Sequence, residues 1–342
     1  MTFDPGTSPF IEAGKPVRWG IIGTGQIAKI FAADIPYAEN AELVAVGSRN
    51  QATADTFGDR FNVPKRYDNY QDLANDPDVD VVYVATPHPD HHDSVIMCLE
   101  AGKHVLCEKS FAMNGAEARE MIEAARTHNR FLMEAMWTRF RPLMYKVREI
   151  VNSGQIGDVQ FLTANIGWTA TFNPKFRLYA PELGGGGLLD AGIYPLSFAS
   201  MILGKPDKVE SVATLGETNV DENALIVMHF PEGAVASVGV TIRSSPVSLG
   251  MICGTKGTIL IDHDWHRPTT FTLRLPGQEP QHFDYTLPEG VGYQFEMNEV
   301  ERCLRSGKTE SDVMPLDETL YIVEIMEKVL KDWGVRYPSD RD

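Results

Sequence analysis

The chain has 342 residues, of which 43% are hydrophobic, and it carries a formal net charge of −16. At roughly 150 residues per domain, this length predicts two domains, with a core large enough to fold without disulfide bonds. The acidic balance argues against a nucleic-acid partner, which would need a basic stripe, and against docking on anionic lipid.

The first third of the chain alternates apolar strands with helical patterns. Residues 79–85 form a continuous apolar run, which is typical of a strand buried on both faces. Strands that alternate with helices predict a parallel sheet with right-handed crossovers. The predicted strands are 17–22, 42–48, 79–85, 104–107 and 131–135. The predicted helices are about 26–35, 51–61, 69–74, 90–101 and 115–128.

Beyond residue 139 the pattern changes, and successive strands are joined by short turns such as Pro231-Glu232-Gly233. This organisation predicts an antiparallel sheet in a second, α+β domain. The predicted strands are 159–167, 208–214, 223–230, 234–242, 247–253, 257–261 and 270–275, and the predicted helices are 142–153, 188–203, 293–306 and 317–333. The predicted boundaries are an N-terminal extension at 1–16, an α/β domain at 17–138 and the α+β domain at 139–342.

The cysteines and the N-terminal residues indicate the compartment. Residues 1–16 lack the basic and apolar runs of a secretory signal, and no stretch approaches the ~20 apolar residues of a membrane span. The four cysteines form no CxxC pair, which favours free thiols in a reducing compartment: Cys98, Cys107, Cys253 and Cys303. The sequence therefore predicts a cytoplasmic protein without a membrane partner.

The turn Gly23-Thr24-Gly25-Gln26-Ile27-Ala28 follows the first strand and opens the first helix. It has the G-x-G-x-x-A pattern, in which Gly23 permits the tight turn and Gly25 lets the backbone approach a pyrophosphate. The N–H groups of Thr24, Gln26 and Ile27 lie where a helix N-terminus attracts phosphate. An accidental glycine turn is the alternative. The strand–turn–helix context predicts a dinucleotide-binding Rossmann domain at 17–138.

The second strand ends in Ser48-Arg49, without the carboxylate that usually binds the ribose 2′-hydroxyl of NAD. Ser48 can donate a hydrogen bond to a 2′-phosphate, and Arg49 can add a charge-assisted one. The alternative for Arg49 is a solvated surface residue. These residues favour NADP as the cofactor, with NAD as the second possibility.

Three further motifs point to a family. They are Thr86-Pro87-His88-Pro89-Asp90-His91, Glu108-Lys109-Ser110 and Asp190-Ala191-Gly192-Ile193-Tyr194-Pro195. Together with the glycine turn they resemble the Gfo/Idh/MocA family of glucose–fructose oxidoreductases and inositol dehydrogenases, from about Val17 to Trp333. Within that family, Glu134-Ala135-Met136-Trp137-Thr138-Arg139-Phe140 resembles the dimeric dihydrodiol dehydrogenases and the NADP-dependent D-xylose dehydrogenases.

The resemblance implies a Rossmann domain followed by a substrate-binding domain with a large open antiparallel sheet. The exposed face of that sheet commonly makes subunit contacts in the family, so a homodimer or homotetramer is expected. The resemblance also implies hydride transfer between the nicotinamide and a hydroxyl-bearing carbon, usually of a sugar, a cyclic polyol or a trans-dihydrodiol. It places Lys109 by the nicotinamide ribose and the substrate, and Tyr194 as the proton-transfer group with Asp190 nearby.

The remaining candidate residues lie around these motifs. Thr86, Pro87, His91 and Glu108 are expected near the cofactor, since ligands bind at the carboxyl edge of a parallel sheet. Trp168, Arg177 and Tyr194 are candidates for the substrate pocket, with a surface loop as the alternative for the first two. In the family the lysine precedes a proline, and that bond is typically cis. In this chain Ser110 follows Lys109, so either the bond is trans or the fold holds a non-proline cis bond.

Tyr194 and Lys109 can act as a pair in alcohol oxidation. The phenol has an ordinary pKa of about 10, which is too high for a base at neutral pH. A neighbouring ammonium lowers that pKa because it favours the phenolate. Asp190 precedes Tyr194 by four residues, which places both on one helix face, where Asp190 can orient Lys109 or hold a substrate hydroxyl. From the residues alone, a core aromatic with a satisfied hydroxyl is the favoured interpretation of Tyr194, and the family resemblance reverses that preference.

Two polar clusters have simpler interpretations. His88, His91 and His92 share one short loop, which rarely makes a metal site without ligands from elsewhere, so no metal is predicted. Asp262-His263-Asp264-Trp265-His266 is predicted to be a polar turn. The main hypothesis is an NADP-dependent dehydrogenase of a sugar or cyclic diol. The alternative is a nucleotide-sensing binding protein without turnover on the same scaffold.

Overall fold

A computed structural model describes residues 10–338 of the chain. The predicted extension at 1–16 therefore lies mostly outside the described residues. The chain divides into two compact units. Unit 1 comprises the chain up to Trp137 together with Pro288–Leu320, and unit 2 comprises Thr138–Leu287 and the chain from Tyr321 onward.

Strands and α-helices occur in both units. The strands are β1 Val17–Ile22, β2 Ala41–Gly47, β3 Lys65–Tyr67, β4 Val81–Val84, β5 His104–Glu108, β6 Leu132–Ala135, β7 Val159–Gly167, β8 Lys208–Leu215, β9 Asp221–His229, β10 Val235–Thr241, β11 Gly250–Gly254, β12 Thr258–Ile261, β13 Thr270–Arg274 and β14 Gln281–Asp284. The α-helices are α1 Gln26–Asp34, α2 Gln51–Phe61, α3 Tyr70–Asn75, α4 His91–Glu100, α5 Gly115–Thr127, α6 Pro142–Asn152, α7 Ile193–Leu203, α8 Gln294–Arg305 and α9 Leu316–Trp333.

Unit 1 is built on a six-stranded parallel sheet in the order β3-β2-β1-β4-β5-β6. Strand β4 is buried on both faces, as its continuous apolar run predicts. On one face the Phe31 ring of α1 stacks on Tyr83 with centroids 3.7 Å apart. The strand order reverses between β1 and β4, the position where ligands bind in doubly wound sheets. The predicted Rossmann fold is confirmed.

Unit 2 is built on an eight-stranded sheet in the order β14-β13-β12-β11-β7-β10-β9-β8. Its pairs are antiparallel except that β10 runs parallel to β7. Side chains of β8 alternate between exposed and partly buried, and α7 packs on β7 and β10. The other face of β8 and β9 is exposed, so the predicted open, mostly antiparallel sheet is confirmed.

The structure differs from the sequence expectations at several boundaries. Pro288–Leu320, placed by the sequence in the second domain, packs in unit 1, and α9 continues from unit 1 into unit 2. The change of unit after Trp137 lies one residue from the predicted boundary. The short strand β3 was not predicted, because its residues, Lys-Arg-Tyr, show no alternation of apolar and polar side chains. The predicted helix 188–203 begins with a π-helical turn, Leu188–Gly192.

The stretch Pro181–Leu203 has the length and apolar composition of a membrane span, which the sequence analysis did not single out. Of its apolar window, 78% is buried within the structure. Core helices of globular proteins have the same composition, because all of their faces contact other protein. Burial therefore accounts for this stretch as a core element of unit 2.

Candidate active site

The glycine turn after β1 has the backbone geometry that a phosphate group needs. Gly23 has a φ of +98°, and a Cβ at this position would lie 2.6 Å from Ala85 O. Gly25 precedes α1, and a Cβ there would meet nothing within 4 Å. Within residues 10–338 no side chain caps this helix start, so the first N–H groups of the helix have no side-chain acceptor there. Ala28 is fully buried, which lets the helix approach the strand closely.

At the end of β2 the two predicted specificity residues differ in exposure. Ser48 is buried, and its Oγ lies 2.5 Å from Thr53 Oγ1. The Arg49 side chain is 75% exposed, and its nearest described carboxylate oxygen, on Asp90, is 3.9 Å away. Asn50 caps α2 by accepting hydrogen bonds from the N–H groups that follow it. Arg49 is therefore available to an incoming anion, whereas Ser48 is already hydrogen-bonded.

The loop after β4 is joined to the loop after β5 by a buried histidine. The His91 ring is fully buried, with Nε2 3.0 Å from Thr86 O and Nδ1 3.0 Å from Ser110 O. Burial lowers the pKa of His91 below its ordinary value, and the two carbonyl oxygens offset only part of this shift. His91 thus holds the two strand ends together. The position of His91 beside a bound cofactor stays a prediction.

Glu108 and Lys109 stand at the carboxyl end of β5. Tyr83 donates its hydroxyl proton to Glu108 in a buried hydrogen bond, and the Lys109 N–H donates to Glu108 Oε2 at 3.1 Å. The Lys109 side chain is partly buried, and the Lys109–Ser110 peptide bond is cis. Of the two arrangements left open by the sequence, the structure adopts the non-proline cis bond.

These residues fit a nicotinamide dinucleotide. The space in front of Gly25 and the uncapped start of α1 suit a pyrophosphate. Thr86 Oγ1 is buried and has no hydrogen-bond partner in the described part of the chain, which leaves it available to a polar group of the cofactor. All of these groups lie at the carboxyl edge of the parallel sheet in unit 1.

In unit 2 the candidate residues gather around the start of α7. Asp190 lies in the π-helical turn, and Tyr194 follows in the first turn of α7. Arg177 Nη1 donates to Asp190 Oδ1 at 2.7 Å. Trp168 and Tyr194 pack on one apolar cluster that includes Val240. The structure thus brings the four predicted residues of this unit to one region, in which an ion pair and two aromatic rings are available.

Two family models match the chain. The oxidoreductase family with an NAD-binding Rossmann fold, Gfo/Idh/MocA, matches residues 17–136, and the GFO/IDH/MocA C-terminal domain matches residues 144–260. The chain belongs to the Gfo/Idh/MocA family. Its members are NAD(P)-binding oxidoreductases, so the resemblance inferred from the motifs is confirmed and the protein is an NAD(P)-dependent dehydrogenase.

Relatives within the Gfo/Idh/MocA family span nearly the whole chain. It is 40% identical over 334 residues to the trans-1,2-dihydrobenzene-1,2-diol dehydrogenase of Mus musculus, covering 95% of this chain and 99% of that protein. The enzyme of the same name from Xenopus laevis is 40% identical over 332 residues, covering 94% and 99%. The crystal structure of the aldose-aldose oxidoreductase from Caulobacter crescentus is 25% identical, with a TM-score of 0.85 and coverage of 94% and 98%.

Asp221 supports the π-helical turn that precedes α7, a role that the sequence did not reveal. Its Oδ2 accepts the Leu188 N–H at 2.7 Å, and burial raises its pKa to about 7. Tyr337 donates its hydroxyl to Gly185 O at 2.7 Å. Both contacts fix the glycine-rich turn before Asp190. No local signal reveals them, because Asp221 and Tyr337 are distant from the turn in sequence.

Glu296 is a second residue that the sequence did not reveal. It lies in the first turn of α8, is fully buried, and neither carboxyl oxygen has a hydrogen-bond partner within residues 10–338. Burial raises the pKa of Glu296 well above its ordinary value, and the neighbouring carboxylates of Glu108 and Asp34 raise it further. Burial and these two carboxylates therefore favour the neutral form of Glu296.

We expect Glu296→Met to raise the free energy of unfolding at neutral pH by about 1–3 kcal/mol, because it removes an unpartnered buried polar group. Below the ordinary pKa of 4.5 both states hold the proton. As pH rises above that value, the unfolded chain loses its proton while the folded one keeps it, so the wild type loses stability. The gain from the substitution should therefore grow with pH. Urea unfolding at mildly acidic and mildly alkaline pH measures it.

Glu301 on the same helix provides the matched control. It accepts hydrogen bonds from Arg305 at 2.7 Å and Asn40 at 2.8 Å, so Glu301→Met should lower stability. A loss of stability in Glu296→Met as large as that in Glu301→Met would contradict the interpretation of Glu296.

The clustered histidines have ordinary partners. His92 lies 2.8 Å from both Asp93 and Glu120, and the His88 and His91 rings pack with centroids 5.7 Å apart. Across residues 10–338 no group of three or more His, Cys, Asp or Glu side chains is arranged to hold a metal ion.

Proposed function

We propose that the protein is an NADP-dependent dehydrogenase that acts on a hydroxyl-bearing carbon of a sugar, a cyclic polyol or a trans-dihydrodiol. The observation that carries this proposal is the grouping of Tyr194 with Trp168 and the Arg177–Asp190 ion pair. A phenol beside a charged pair and an aromatic face suits a small ring that bears hydroxyl groups. The names of the relatives, a dihydrodiol dehydrogenase and an aldose oxidoreductase, agree with that chemistry.

In the proposed reaction Tyr194 takes the proton of the substrate hydroxyl and returns it in the reverse direction. The ordinary pKa of tyrosine, about 10, must be lowered for the phenolate to act as a base at neutral pH. The Lys109 ammonium would favour the phenolate. Tyr83 and the Lys109 N–H both bond Glu108, which holds the backbone of Lys109 in place. In this proposal Lys109 serves as the electrostatic partner and Tyr194 as the acid/base.

The cofactor would lie along the carboxyl edge of the unit 1 sheet. The backbone N–H groups at Thr24, Gln26 and Ile27 would hold its pyrophosphate, and Arg49 a 2′-phosphate. When bound, the nicotinamide supplies the hydride acceptor for alcohol oxidation and the hydride donor for the reverse.

Substrate recognition would use complementary surfaces in unit 2. The Trp168 indole offers an apolar face to a ring. Asp190 and Arg177 can accept from and donate to neighbouring hydroxyls, which matches vicinal diols better than monohydric alcohols. This combination favours cyclic substrates with two adjacent hydroxyls, whether dihydrodiols or pyranose sugars.

A substrate screen tests the proposal. The purified protein is first titrated with NADPH by fluorescence, and turnover is then followed by nicotinamide absorbance with xylose, glucose, inositols and trans-dihydrodiols. Turnover on a vicinal cyclic diol is the expected result, with cyclohexanol as a weak substrate. Tight NADPH binding without turnover on any of these compounds would favour a nucleotide-sensing protein and overturn the proposal.

The proposed preference for NADP depends on Arg49. Arg49→Ala should raise the KM for NADP by about 10- to 100-fold, the loss expected for one charge-assisted hydrogen bond, and leave the KM for NAD nearly unchanged. Steady-state kinetics with both cofactors give the comparison. Arg60→Ala, an exposed arginine at the end of α2, is the control. A wild type that already prefers NAD would show the assignment to be wrong.

We also propose that two copies associate through the open face of the unit 2 sheet. Val212 and Leu225 are paired across β8 and β9 and are 64% and 48% exposed, and Val227 and Phe161 add further exposed apolar surface. Apolar side chains grouped on an otherwise uncovered sheet face are typical of a protein interface. A second copy supplies the same surface, as symmetric dimers require.

Leu225→Lys should shift the protein from dimer to monomer in sedimentation velocity, because it places a charge within this apolar face. Tyr145→Lys is the control, since Tyr145 is similarly exposed but lies on α6. A wild type that is monomeric at micromolar concentration would exclude this interface.

A further inference from the structure

The loop between β12 and β13 places a histidine against the proposed acid/base. The ring centroids of Tyr194 and His266 lie 5.6 Å apart, with an interplanar angle of 55°. Aromatic rings about 4.5–7 Å apart are in packing contact. His266 as a residue is partly buried, and its Nδ1 is shielded from solvent. By its sequence this segment is a predicted polar turn, and the reaction proposed above does not involve it.

The residue before His266 fixes the loop in place. Trp265 is fully buried, and its indole N–H donates to Asn165 O at 2.7 Å. The indole also packs on Phe198 of α7, with ring centroids 5.0 Å apart. The loop is therefore anchored to β7 and to the helix that carries Tyr194.

The loop backbone is held at two further points. Thr138 Oγ1 donates to His266 O at 2.7 Å, and the buried Arg141 donates from Nε to Pro268 O at 3.2 Å. These contacts hold the backbone on both sides of His266. Such supporting contacts restrict the position of a reactive side chain.

Several other charged groups on this loop and on the elements packed against it have contacts of their own, and Arg267 is exposed. Asp262 accepts the Thr270 hydroxyl at 2.6 Å, and His263 lies 3.5 Å from Asp264 on the exposed side of the loop. Arg139 donates to Ser197, one turn along α7 from Tyr194. His266 is the titratable side chain whose ring packs on Tyr194.

We propose that His266 is the proton-transfer partner of Tyr194 and connects its phenol to solvent. This inference rests on the proposed function, in which Tyr194 is the acid/base. The substrate O–H bond breaks as its proton joins the Tyr194 phenolate. That proton then moves, directly or through one water molecule, to a nitrogen of His266, which restores the phenolate and leaves an imidazolium. The imidazolium releases the proton to solvent, and the reverse sequence serves carbonyl reduction.

The experiment combines chemical rescue with a measurement that needs no turnover. His266→Ala should lower kcat at least about 10-fold, at the low end of what a proton-transfer group contributes, while the KM for substrate changes little. Added imidazole should restore much of the loss in His266→Ala and none in Tyr194→Phe. In histidine-labelled protein without ligands, NMR should show that Tyr194→Phe moves the titration midpoint of the His266 ring and leaves that of His263 unchanged.

His263→Ala is the matched control, because His263 is exposed on the same loop. Unchanged kcat in His266→Ala, or a loss that imidazole fails to restore together with an unmoved His266 titration, would overturn the inference. If the protein turns over none of the tested alcohols, the proposed function fails, and the NMR coupling of His266 with Tyr194 still decides whether the two rings share a proton.

Discussion

Tyr194→Phe is expected to lower kcat by about 10²- to 10⁴-fold, the contribution typical of a positioned acid/base. The substitution removes one oxygen and keeps the ring that packs with Trp168 on the apolar cluster of unit 2. The fold should therefore remain intact. The dissociation constant for NADPH should stay within about threefold, because the proposed cofactor contacts lie in unit 1. Single-turnover kinetics and NADPH fluorescence measure the two quantities.

Lys109→Ala should show the same separation, a large loss of kcat and a smaller loss of cofactor affinity, since an ammonium that favours the phenolate acts on the proton-transfer step. Tyr321→Phe is the control for both variants. Its hydroxyl lies 2.5 Å from Ser200 Oγ, toward the far end of α7, so its removal should leave kcat unchanged. Near wild-type turnover in both Tyr194→Phe and Lys109→Ala would refute the assignment of the acid/base pair.

The second large effect distinguishes the two glycines of the cofactor turn. Gly23→Ala should lower the free energy of unfolding by about 2–5 kcal/mol, because a Cβ would lie 2.6 Å from Ala85 O at a φ of +98°. Gly25→Ala should change stability by less than about 1 kcal/mol, since its backbone conformation is open to any residue. Yet its methyl group occupies the space where a pyrophosphate would approach the helix.

Gly25→Ala is therefore expected to fold normally and bind NADPH at least tenfold more weakly, a loss of about 1.4 kcal/mol or more. Urea unfolding and NADPH fluorescence, applied to both variants, separate folding from binding. If Gly25→Ala binds NADPH as tightly as the wild type, the cofactor does not use this turn in the proposed manner. If Gly23→Ala unfolds at the same urea concentration as the wild type, the close approach of Gly23 to Ala85 does not exclude a methyl group.

Local patterns predicted much of the fold. The apolar runs of β1 and β4 indicate a buried parallel sheet, and the glycine turn between β1 and α1 identifies its ligand-binding edge, because both signals depend on neighbours in sequence. The sequence placed Pro288–Leu320 in the second domain, whereas this segment packs in unit 1. The periodic pattern of this helical segment predicts only that one of its faces is buried. Tertiary packing decides which unit covers that face.

The candidate site divides in the same way. Lys109, Asp190 and Tyr194 lie in short sequence motifs that resemble those of the family. Ser48-Arg49 can be identified because it follows a predicted strand. Glu296, Asp221 and His266 carry no such mark. Their importance comes from partners about 30 to 190 residues away: Glu108 for the first, Leu188 for the second and Tyr194 for the third.

By itself, then, the sequence determined a two-domain, dinucleotide-binding chain, because the alternating strands and helices and the glycine turn follow from residue type and spacing. Its resemblance to the Gfo/Idh/MocA family implied an oxidoreductase and the roles of Lys109, Asp190 and Tyr194. Only the tertiary structure decided the rest: that Lys109–Ser110 is cis, that His91 joins two loops, that Glu296 is buried without a hydrogen-bond partner among residues 10–338, and that His266 packs on Tyr194. Burial and long-range contact set these properties, and both arise only when distant segments pack together.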